Sequence, residues 1–542
     1  MQWTNGAGGV KFPPGSAEDP VVTTTITQER PVLRVDACEP PGAVPADAPT
    51  PPVKRGAVLP LQPLMAAVTL GAVATMAVDT AHDPDVFWHL KTGQWIWAQR
   101  AVPRSDPFSW TAPGRKWIAH EWLTEAIYAS LHRAFGWAGI SVLSAVVIVT
   151  GWMLVRATCL RFGAGPIAAT TATLLAAVSS LHTWGTRPQM LSLMFTAFFA
   201  WLLVGAVTRR PNQLAFAVPT MLLWANLHGG YIFGIAMLWA CTVTIGGEYL
   251  LRRLAFGRRM LAWRTAAGPD ASLLKAVSGT TFAATAVTLV NPNGIEGFTY
   301  PFSYLGKNAS TKYVVEWFAP DFSHVQYWPF ALTAGLFAFA IVRYRRTVPL
   351  HSLSIGLPFA FLAFQSVRNI SQFAIIAAPV LALVFTRNNV RRATTQPGDL
   401  RATAIVCAMV GAALCVASAP KLTASANTRS QAAEFPSAAA KRLASMQNVK
   451  VFNQYDWGGY LLYAVPDLKV FIDGRPDMYG DEFVDRYMST WWLKPGWKQR
   501  LADDGVNTVV ANPGARLILE LRKDTSWEQI YADPVAVILR HR

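Results

Sequence analysis

The sequence predicts a polytopic α-helical membrane protein that ends in a soluble α/β domain. Its 542 residues are 52% hydrophobic and only 15% charged, which is more apolar sequence than a soluble core needs. About eleven apolar runs long enough to span a bilayer follow one another within residues 57–420. After residue 420 the composition turns soluble, and short β-rich runs alternate with amphipathic helical patterns.

The first 56 residues precede these spans. They are rich in Pro, Ala, Thr and Asp and show no apolar periodicity. They also lack the charged-then-apolar layout of a cleavable signal peptide. We therefore expect residues 1–56 to form a disordered cytoplasmic tail.

The multispanning domain covers residues 57–420. Its predicted spans lie at 61–79, 138–155, 165–183, 189–207, 214–228, 231–250, 274–290, 328–342, 350–366, 370–386 and 402–419. Two longer polar stretches separate spans, at 80–137 and 291–327. These two loops are where we expect residues with a function outside the bilayer.

The basic residues indicate which loops face the cytoplasm. If the N-terminus is inside, the cytoplasmic loops carry clusters of arginine such as Arg252 and Arg253. The short loops on the other side carry little more than Arg187 and Arg368, which is the asymmetry of the positive-inside rule. The net charge of +16 is thus explained by topology, and we expect no nucleic-acid partner.

This orientation places three stretches outside the cytoplasm: loop 80–137, loop 291–327 and the domain at 421–542. The composition is bacterial in style, so we expect a multi-pass protein of the bacterial plasma membrane with an extracytoplasmic C-terminal domain. Loop 80–137 is rich in Trp, and amphipathic rings are favoured in the headgroup layer. We expect its helices to lie at the surface of the lipid bilayer.

The C-terminal domain shows five runs that are typical of strands. They are Val449–Asn453, Lys469–Asp473, Asn507–Ala511, Ile530–Ala532 and Val535–Arg540. Helical patterns near 481–490, 496–503 and 514–523 lie between them. The alternation predicts a small α/β layer sandwich, and no glycine-rich phosphate fingerprint follows any of these runs.

Two aspartates follow the first span directly. Asp83 and Asp85 flank Pro84, and proline favours extended backbone, in which alternate side chains point the same way. Both carboxylates are therefore expected to share one site, where they can bind a divalent cation such as Mg²⁺ or Mn²⁺, or where one can act as a general base. The alternative is a solvated turn after a membrane helix.

A second group of candidates lies in WIAHEWLTE, at 117–125. His120 and Glu121 are adjacent, and Glu125 follows Glu121 by about one helical turn, so both glutamates share one helix face. His89 lies upstream in the same loop, in FWHL. An amphipathic surface helix gives the same pattern, and spacing alone favours that structural interpretation. The HE pair lacks the second histidine of a zinc-protease signature.

Polar residues at the predicted span ends form a third group. Arg187 in HTWGTRPQ, His228 in WANLHGGY and Arg368 in QSVRNISQ all fall on the outer side, as Asp83 does. Ionisable groups at span ends are costly unless they are paired or used, and arginines there suit a phosphate. Helix-to-helix pairing and headgroup snorkelling are the alternative for any one of them. Their convergence on one side favours binding.

The C-terminal domain carries two motifs that combine aromatics with glycine turns, FNQYDWGGYLLY and VFIDGRPDMYG. They hold Asp456, Asp473, Arg475 and Asp477. Asp and Arg around a turn most often stabilise that turn. Recognition of a sugar or a peptide is the less favoured interpretation.

The layout of residues 60–542 resembles the type C glycosyltransferase superfamily, whose integral-membrane members take a sugar from a polyprenyl-phosphate carrier on the outer face. The resemblance rests on the acidic motif in HDPDVFWHL after the first span, then on interfacial helices, a multispan body and an outward C-terminal domain. The phrases FWHLKTGQWIW, DPFSWTAPG and FNQYDWGGYLLY also look like segments of uncharacterised bacterial membrane proteins grouped near this superfamily.

The resemblance implies a reaction and a division of roles. A hexosyl or pentosyl group would pass from a polyprenyl-phosphate sugar to a glycan, lipid or protein acceptor of the cell envelope. Asp83 or Asp85 would take the acceptor's proton, and arginines or a metal ion would stabilise the departing phosphate. Together with the residues singled out above, the candidate substrate-binding residues are His89, His120, Glu121, Arg187, His228 and Arg368. The proline between the aspartates departs from the superfamily's pattern and leaves open which of them is catalytic.

Two other classes of function stay open at this point. A transporter or flippase of lipid-linked substrates would use the same polar groups as a pathway, but the sequence shows no internal repeat and loop 80–137 is unusually large for one. A non-catalytic assembly protein of the cell envelope would need residues 421–542 but not the side chains of Asp83 and Asp85.

Overall fold

A computed structural model describes residues 61–207, 211–264, 268–306, 308–386 and 397–542. The predicted cytoplasmic tail, 1–56, lies outside the described residues. The described chain from residue 61 onward belongs to one compact unit.

Sixteen α-helices of the described residues lie between residue 61 and residue 422. They are α1 (Leu61–Ala77), α2 (Pro84–Gln99), α3 (Trp122–Phe135), α4 (Trp137–Arg161), α5 (Pro166–Ser180), α6 (Gln189–Val207), α7 (Ala217–Leu227), α8 (Tyr231–Arg253), α9 (Ala255–Leu261), α10 (Ala271–Val287), α11 (Gly294–Thr299), α12 (Ala309–Tyr313), α13 (Trp328–Arg343), α14 (Leu350–Gln365), α15 (Ile370–Leu381) and α16 (Pro397–Leu422). Each predicted span overlaps one of them. Short 3₁₀ helices include Val315–Trp317 and Val367–Asn369.

Among the described residues, five helical stretches are long and apolar enough to cross a membrane. They are Trp137–Arg161, Gln189–Val207, Tyr231–Arg253, Val325–Arg343 and Ala404–Leu422. Helices α1, α14 and α15 are apolar but shorter. The chain thus has the helices of a multi-pass membrane protein, and the count of eleven spans stays a prediction.

The helices of the apolar body pack around large buried side chains. Trp152 of α4, Phe199 of α6, Trp224 of α7 and Phe373 of α15 are fully buried in one cluster. The contact of α4 with α6 is close at Gly151, where a Cβ would lie 2.5 Å from the Leu193 side chain. This packing holds the ends of the helices in fixed positions, and those ends carry several of the site residues.

The C-terminal segment contains seven helices and a small sheet. The helices are α17 (Ala424–Glu434), α18 (Ser437–Ala444), α19 (Gly458–Ala464), α20 (Pro476–Tyr479), α21 (Asp481–Trp491), α22 (Trp497–Asp503) and α23 (Arg516–Leu521). The strands are β1 (Val451–Asn453), β2 (Thr508–Ala511), β3 (Trp527–Ala532) and β4 (Val537–His541), in the order β1-β2-β4-β3. β1 pairs with β2 in parallel, and the other pairs are antiparallel.

One predicted strand, Lys469–Asp473, was wrong. Val470 forms an isolated bridge with Ser109 of loop 80–137 and belongs to none of the four strands. Its N–H donates to the Phe108 carbonyl at 3.2 Å, and the Phe471 N–H donates to the Asn453 side chain at 3.0 Å. The backbone groups of this run are thus satisfied by a loop and a side chain, which periodicity cannot reveal.

Loop 80–137 and the C-terminal segment share one hydrophobic core. Phe87 of α2 lies 4.9 Å from Phe435 and 5.0 Å from Tyr460, measured between ring centroids. Trp110 lies 5.4 Å from Phe471 and donates its indole N–H to the Val451 carbonyl at 3.1 Å. The two stretches are therefore folded against each other, although more than 300 residues separate these contacts.

Arg475 forms an ionic connection inside this core. Its guanidinium donates to Asp473 at 2.6 and 2.7 Å and to Asp106 of loop 80–137 at 2.9 Å. It also lies over the ring of Trp117, 4.5 Å from the centroid. Asp106 in turn accepts backbone N–H groups of Phe108 and Ser109. A buried arginine thus ties the DPFS turn to the DGRP turn.

Helix α2 crosses α3 at Gly93. A Cβ at this position would lie 1.9 Å from the carbonyl oxygen of Glu125, so only glycine fits. We expect Gly93→Ala to destabilise the protein by about 1–3 kcal/mol or more, as overpacking does. Gly247 in α8 is the matched control, because a Cβ there meets no atom of the described chain within 4 Å. Thermal melting in detergent measures both, and equal melting temperatures would contradict the close contact.

Candidate active site

A cavity of about 620 Å³ is bounded by helix ends, by loops 80–137 and 291–327 and by the C-terminal segment. Its volume is in the range of small-molecule sites. The residues expected from the sequence to be catalytic or substrate-binding line it: Asp83, Asp85, His89, His120, Glu121, Arg187, His228 and Arg368. Glu125 is not among the lining residues. His182 is not among the lining residues and packs on Tyr327, 5.0 Å away between ring centroids.

The two aspartates lie at the start of a helix and not in an extended run. Asp83 is the N-cap of α2, with Pro84 as the first helical residue, and its Oδ1 accepts the Asp85 N–H at 3.0 Å. Asp83 itself has extended backbone, as an N-cap residue does, but the helix that begins at Pro84 replaces the extended conformation that we expected for Asp85. Both carboxylates nevertheless point to one place.

That place is the guanidinium of Arg187. Its Nε lies 2.6 Å from Asp83 Oδ2, its Nη1 lies 3.2 Å from Asp85 Oδ2, and its Nη2 contacts Glu316 of the Val315–Trp317 turn. Three carboxylates thus surround one cation. Glu316 was not singled out from the sequence, although loop 291–327 was expected on the same side as Asp83.

Asp83 and Asp85 differ in how much of the carboxylate is free. Asp83 uses one oxygen as the cap and the other for Arg187, and its side chain is 11% exposed. Asp85 accepts the Trp88 indole N–H at 3.1 Å, contacts Arg187, and is 30% exposed to the cavity. Burial raises the pKa of Asp85 to about 7, although Arg187 opposes the rise. Asp85 is therefore the member that can exchange a proton near neutral pH.

The sequence also suggested Mg²⁺ or Mn²⁺ at Asp83 and Asp85. Arg187 lies where a cation shared by these carboxylates would be, and it takes an oxygen of each of them. A divalent ion there would have to displace a guanidinium held by three carboxylates. The residues as arranged do not fit a metal ion at this position.

A second arginine, Arg368, faces the cavity from the Val367–Asn369 turn. Its Nη1 lies 3.7 Å from Glu316 Oε2, and its guanidinium lies 5.3 Å from the ring centroid of Trp317. Trp317 stacks on Tyr304 with centroids 5.1 Å apart and planes 5° from parallel. The wall thus combines a cation with flat aromatic faces, which suits a phosphate beside a sugar ring.

Glu121 lies among three histidines. Its Oε1 is 3.2 Å from His228 Nε2 and 3.6 Å from His120 Nε2, and its Oε2 is 3.5 Å from His89 Nε2. Burial raises the pKa of Glu121 to about 8, with Arg368 acting against the rise. This pKa favours the protonated form of Glu121 at neutral pH.

His89 continues this cluster away from the cavity. Its Nδ1 lies 3.2 Å from Glu125 Oε1, and Glu125 Oε2 is buried without a hydrogen-bond partner among the described residues. Burial raises the pKa of Glu125 well above its usual value, and the Glu121 carboxylate adds to the rise. Burial also lowers the pKa of His89 well below its usual value. A neutral imidazole thus lies between two carboxyl groups.

Donor atoms of His89, Glu121 and Glu125 lie within 4.8 Å of one another, a spacing that a metal site also shows. However, His89 points one nitrogen at Glu121 and the other at Glu125. A metal ion bound to one ring nitrogen would be coordinated by only one of the two carboxyl groups, because the other lies on the far side of the imidazole. The arrangement therefore fits hydrogen bonding and not metal coordination.

The C-terminal segment contributes a wall that sequence reasoning treated as structural. Asp456 and Asp477 line the cavity, and Asp477 accepts the Tyr300 hydroxyl at 2.8 Å. The Tyr300 ring lies 4.3 Å from the ring of His120 between centroids. Arg475 has the turn-stabilising role that was favoured, through its contacts with Asp473. The density of Asp and Tyr beside glycine turns was the sequence feature that could have indicated this wall.

No protein-family model and no curated protein matches the chain. Among solved structures, the fold is similar to the oligosaccharyltransferase of Archaeoglobus fulgidus in the apo form, with a TM-score of 0.53, 11% identity and coverage of 83% of this chain and 69% of that chain. The complex of that archaeal enzyme, AglB, with an inhibitory peptide and a dolichol-phosphate gives a TM-score of 0.52, 12% identity and the same coverages, 83% and 69%.

A weaker similarity is to ArnT from Cupriavidus metallidurans bound to undecaprenyl phosphate, with a TM-score of 0.46, 13% identity and coverage of 88% of this chain and 97% of that chain. At the identity of the archaeal match, 11%, the similarity is one of fold. The resemblance to the type C glycosyltransferase superfamily, predicted from HDPDVFWHL and the layout of the chain, is confirmed for the fold.

Proposed function

We propose that the protein is a membrane glycosyltransferase that moves a hexosyl or pentosyl group from a polyprenyl-phosphate donor to an acceptor of the bacterial cell envelope. The observation that carries the proposal is the convergence of acids, arginines and aromatic rings from five separate parts of the chain on one cavity. The fold shared with the archaeal oligosaccharyltransferase, which was solved with a dolichol-phosphate and a peptide, supports a lipid-linked donor.

The donor phosphate would be held by the two cavity-facing arginines. Within the described part of the chain Arg368 pairs with one carboxylate, Glu316, at 3.7 Å, so its guanidinium has N–H groups to offer a phosphate. Arg187 is held by three carboxylates and mainly contributes positive charge to the electrostatic field of the cavity. The stacked pair Tyr304 and Trp317 lies beside Arg368 and offers a flat face for the sugar.

The acceptor would be activated by Asp85. In the proposed step Asp85 takes the proton of the acceptor hydroxyl or amide while the acceptor atom attacks the anomeric carbon, and the bond from that carbon to the phosphate oxygen breaks. A single displacement inverts the configuration. Asp83 acts as a positioning residue, because it caps α2 and orients Arg187. His120 and His228 hold Glu121 at the cavity wall.

The proposal also implies an orientation of the chain in the membrane. Loops 80–137 and 291–327 and the domain at 421–542 would lie on the extracytoplasmic face of the plasma membrane, with the N-terminus in the cytoplasm. The C-terminal wall with Asp456 and Asp477 would then meet the acceptor from outside.

The test is transfer from a panel of radiolabelled polyprenyl-phosphate hexoses and pentoses, with purified protein in lipid vesicles and cell-envelope extract as acceptor. Label appearing in the extract, with inversion at the anomeric carbon, would support the proposal. Arg368→Met is expected to weaken donor binding, and exposed Arg542→Met is the matched control. Movement of intact donor across the bilayer without transfer would instead support the transporter.

Removing divalent cations is expected to leave this transfer unchanged, because Arg187 already occupies the position between the two aspartates that a shared metal ion would need. The measurement compares initial rates before and after treatment with a chelator, with and without added Mg²⁺ or Mn²⁺. A rate that the chelator abolishes and Mn²⁺ restores would contradict the assignment of the charge to Arg187.

A further inference from the structure

Glu121, His89 and Glu125 form a chain of three titratable groups, which we call the glutamate relay. Glu121 lines the cavity, whereas the Glu125 side chain is only 1% exposed and lies behind the imidazole. The gaps are 3.5 Å from Glu121 Oε2 to His89 Nε2 and 3.2 Å from His89 Nδ1 to Glu125 Oε1. Each nitrogen of one ring thus faces a different carboxyl group.

The chain constrains its own protons. A neutral imidazole has one N–H and one lone pair, so it can donate to one of the two carboxyl groups and must accept from the other. The arrangement is satisfied when one glutamate is protonated and the other is ionised. Two states meet this condition, with the carboxyl proton on Glu121 or on Glu125, and the imidazole is neutral in both.

The surroundings of Glu121 also suit both states. The Gly230 N–H donates to His228 Nδ1 at 2.8 Å, so the proton of the neutral His228 ring is on Nε2, which faces Glu121. His120 Nδ1 lies 3.3 Å from the Ile118 carbonyl, which can only accept, so His120 Nε2 carries a lone pair toward Glu121. Glu121 thus has a donor for its ionised form and an acceptor for its protonated form.

The charge of the cavity makes a proton donor useful. Asp83, Asp85 and Glu316 face two arginines, Arg187 and Arg368, so this cluster is already short of positive charge. A phosphate that leaves a sugar changes from a diester monoanion to a monoester, which is a dianion unless it takes up a proton. Adding a second negative charge here is costly in a buried site.

We propose that Glu121 is the general acid of the transfer reaction and that His89 and Glu125 resupply its proton. This inference rests on the proposed function. As the bond between the anomeric carbon and the phosphate oxygen breaks, the oxygen keeps the electron pair and takes the Glu121 proton. This proton reaches Glu121 before the step, when His89 gives its Nε2 proton to Glu121 and receives the Glu125 proton on Nδ1, which leaves Glu125 ionised. Water in the cavity restores the proton afterwards.

Other charged groups also act on the relay. Glu121 is faced by His89, His120 and His228, and Arg368, Asp85, Asp477 and Arg187 influence it from further away. Glu125 is faced by His89, with Glu121 and Arg475 beyond it. The arginines favour the ionised forms of the glutamates and the aspartates favour the protonated forms. Because these effects oppose each other, substitutions of the relay residues themselves test the proposal most directly.

The first experiment needs no substrate. Infrared spectra of the protein in lipid are expected to show the carbonyl stretch of a protonated carboxyl group at neutral pH. Glu121→Gln and Glu125→Gln are each expected to remove or shift this band, and His89→Gln should alter it by cutting the chain. Exposed Glu296→Gln is the control and should leave it unchanged. Absence of a band that responds to the relay variants would overturn the proposal.

The second experiment varies the leaving group with the sugar that the donor panel identifies. Glu121→Gln is expected to slow transfer from the polyprenyl phosphate by about 10²-fold or more. Transfer of the same sugar from its glycosyl fluoride should fall by less than about tenfold, because fluoride leaves with little need of a proton donor. Equal losses with both donors would overturn the role of general acid.

Glu125→Gln separates a relay from a merely structural contact. It should keep the donor KM and lower kcat, with the loss growing as the pH rises and cavity water becomes a poorer proton source. A loss that is the same at every pH would overturn the resupply. Infrared bands that behave as expected in a protein that transfers none of the panel's sugars would support the shared proton and count against the proposed function.

Discussion

Replacing Asp85 by Asn should lower sugar transfer by about 10²–10⁴-fold, the usual contribution of a general base. The amide is nearly isosteric and can still accept the Trp88 N–H, but it cannot take a proton from the acceptor. The measurement is the initial rate of label transfer, with the amount of folded protein checked by gel filtration. Exposed Asp321→Asn is the matched control on loop 291–327 and should transfer normally.

The pH profile gives the same prediction a second measurement. A base works only when ionised, and the pKa of Asp85 is about 7, so the rate should fall as the pH drops below that value. A general acid works only when protonated, and the pKa of Glu121 is about 8, so the rate should also fall above it. We expect a narrow bell-shaped profile that loses its alkaline limb in Glu121→Gln.

Asp83→Asn tests the division of roles between the two aspartates. It should reduce the rate less than Asp85→Asn and mainly raise the KM, because it loosens Arg187 but leaves the base in place. If Asp83→Asn abolished transfer while Asp85→Asn kept it, the assignment of the base would be reversed. Normal transfer by both variants would move the base to another residue.

Replacing Arg475 by Met is the change with the largest expected effect on stability. Its side chain is 1% exposed and pairs with Asp106 and Asp473, which are both buried. Removing the cation leaves two buried carboxylates without a positive charge to pair with, which typically costs about 3–5 kcal/mol. We expect a lower melting temperature in detergent and faster proteolysis in loop 80–137.

Arg486→Met is the control for that experiment. Arg486 also pairs with an aspartate, Asp504, at 2.8 Å, but the two side chains are 39% and 24% exposed. Pairs at the surface contribute roughly 0–1 kcal/mol, so this variant should melt close to wild type. Similar melting temperatures for both variants would show that the connection of Arg475 is dispensable.

Much of the helical body follows from the sequence, because apolar runs have few ways to satisfy their backbone in lipid except as helices. The polar residues at span ends could also be grouped correctly. Arg187, His228 and Arg368 were expected on one side because of the charge asymmetry of the loops, and they line one cavity. The same argument from the side of the membrane, applied to loop 291–327, would have identified Glu316 as a candidate.

Contacts that depend on distant parts of the chain could not be read in the same way. Lys469–Asp473 has the composition of a strand, but its partners are Phe108 and an asparagine side chain. Glu125 looks like one residue of an amphipathic helix until His89 is placed beside it. Periodicity describes what a segment prefers, whereas these positions depend on which segment folds against it.

The shared core of loop 80–137 and the C-terminal segment has a consequence for biosynthesis. Asp106 leaves the ribosome 369 residues before its partner Arg475. At a synthesis rate of about 5–20 residues per second, the loop waits roughly 20–70 s for the segment that completes its core. During that interval the aromatic faces of α2 lack their packing partners and the cavity lacks one wall. The candidate site is therefore completed only after the C-terminal segment has been synthesised, so a chain truncated before that segment would carry Asp85 and Arg187 without a finished cavity.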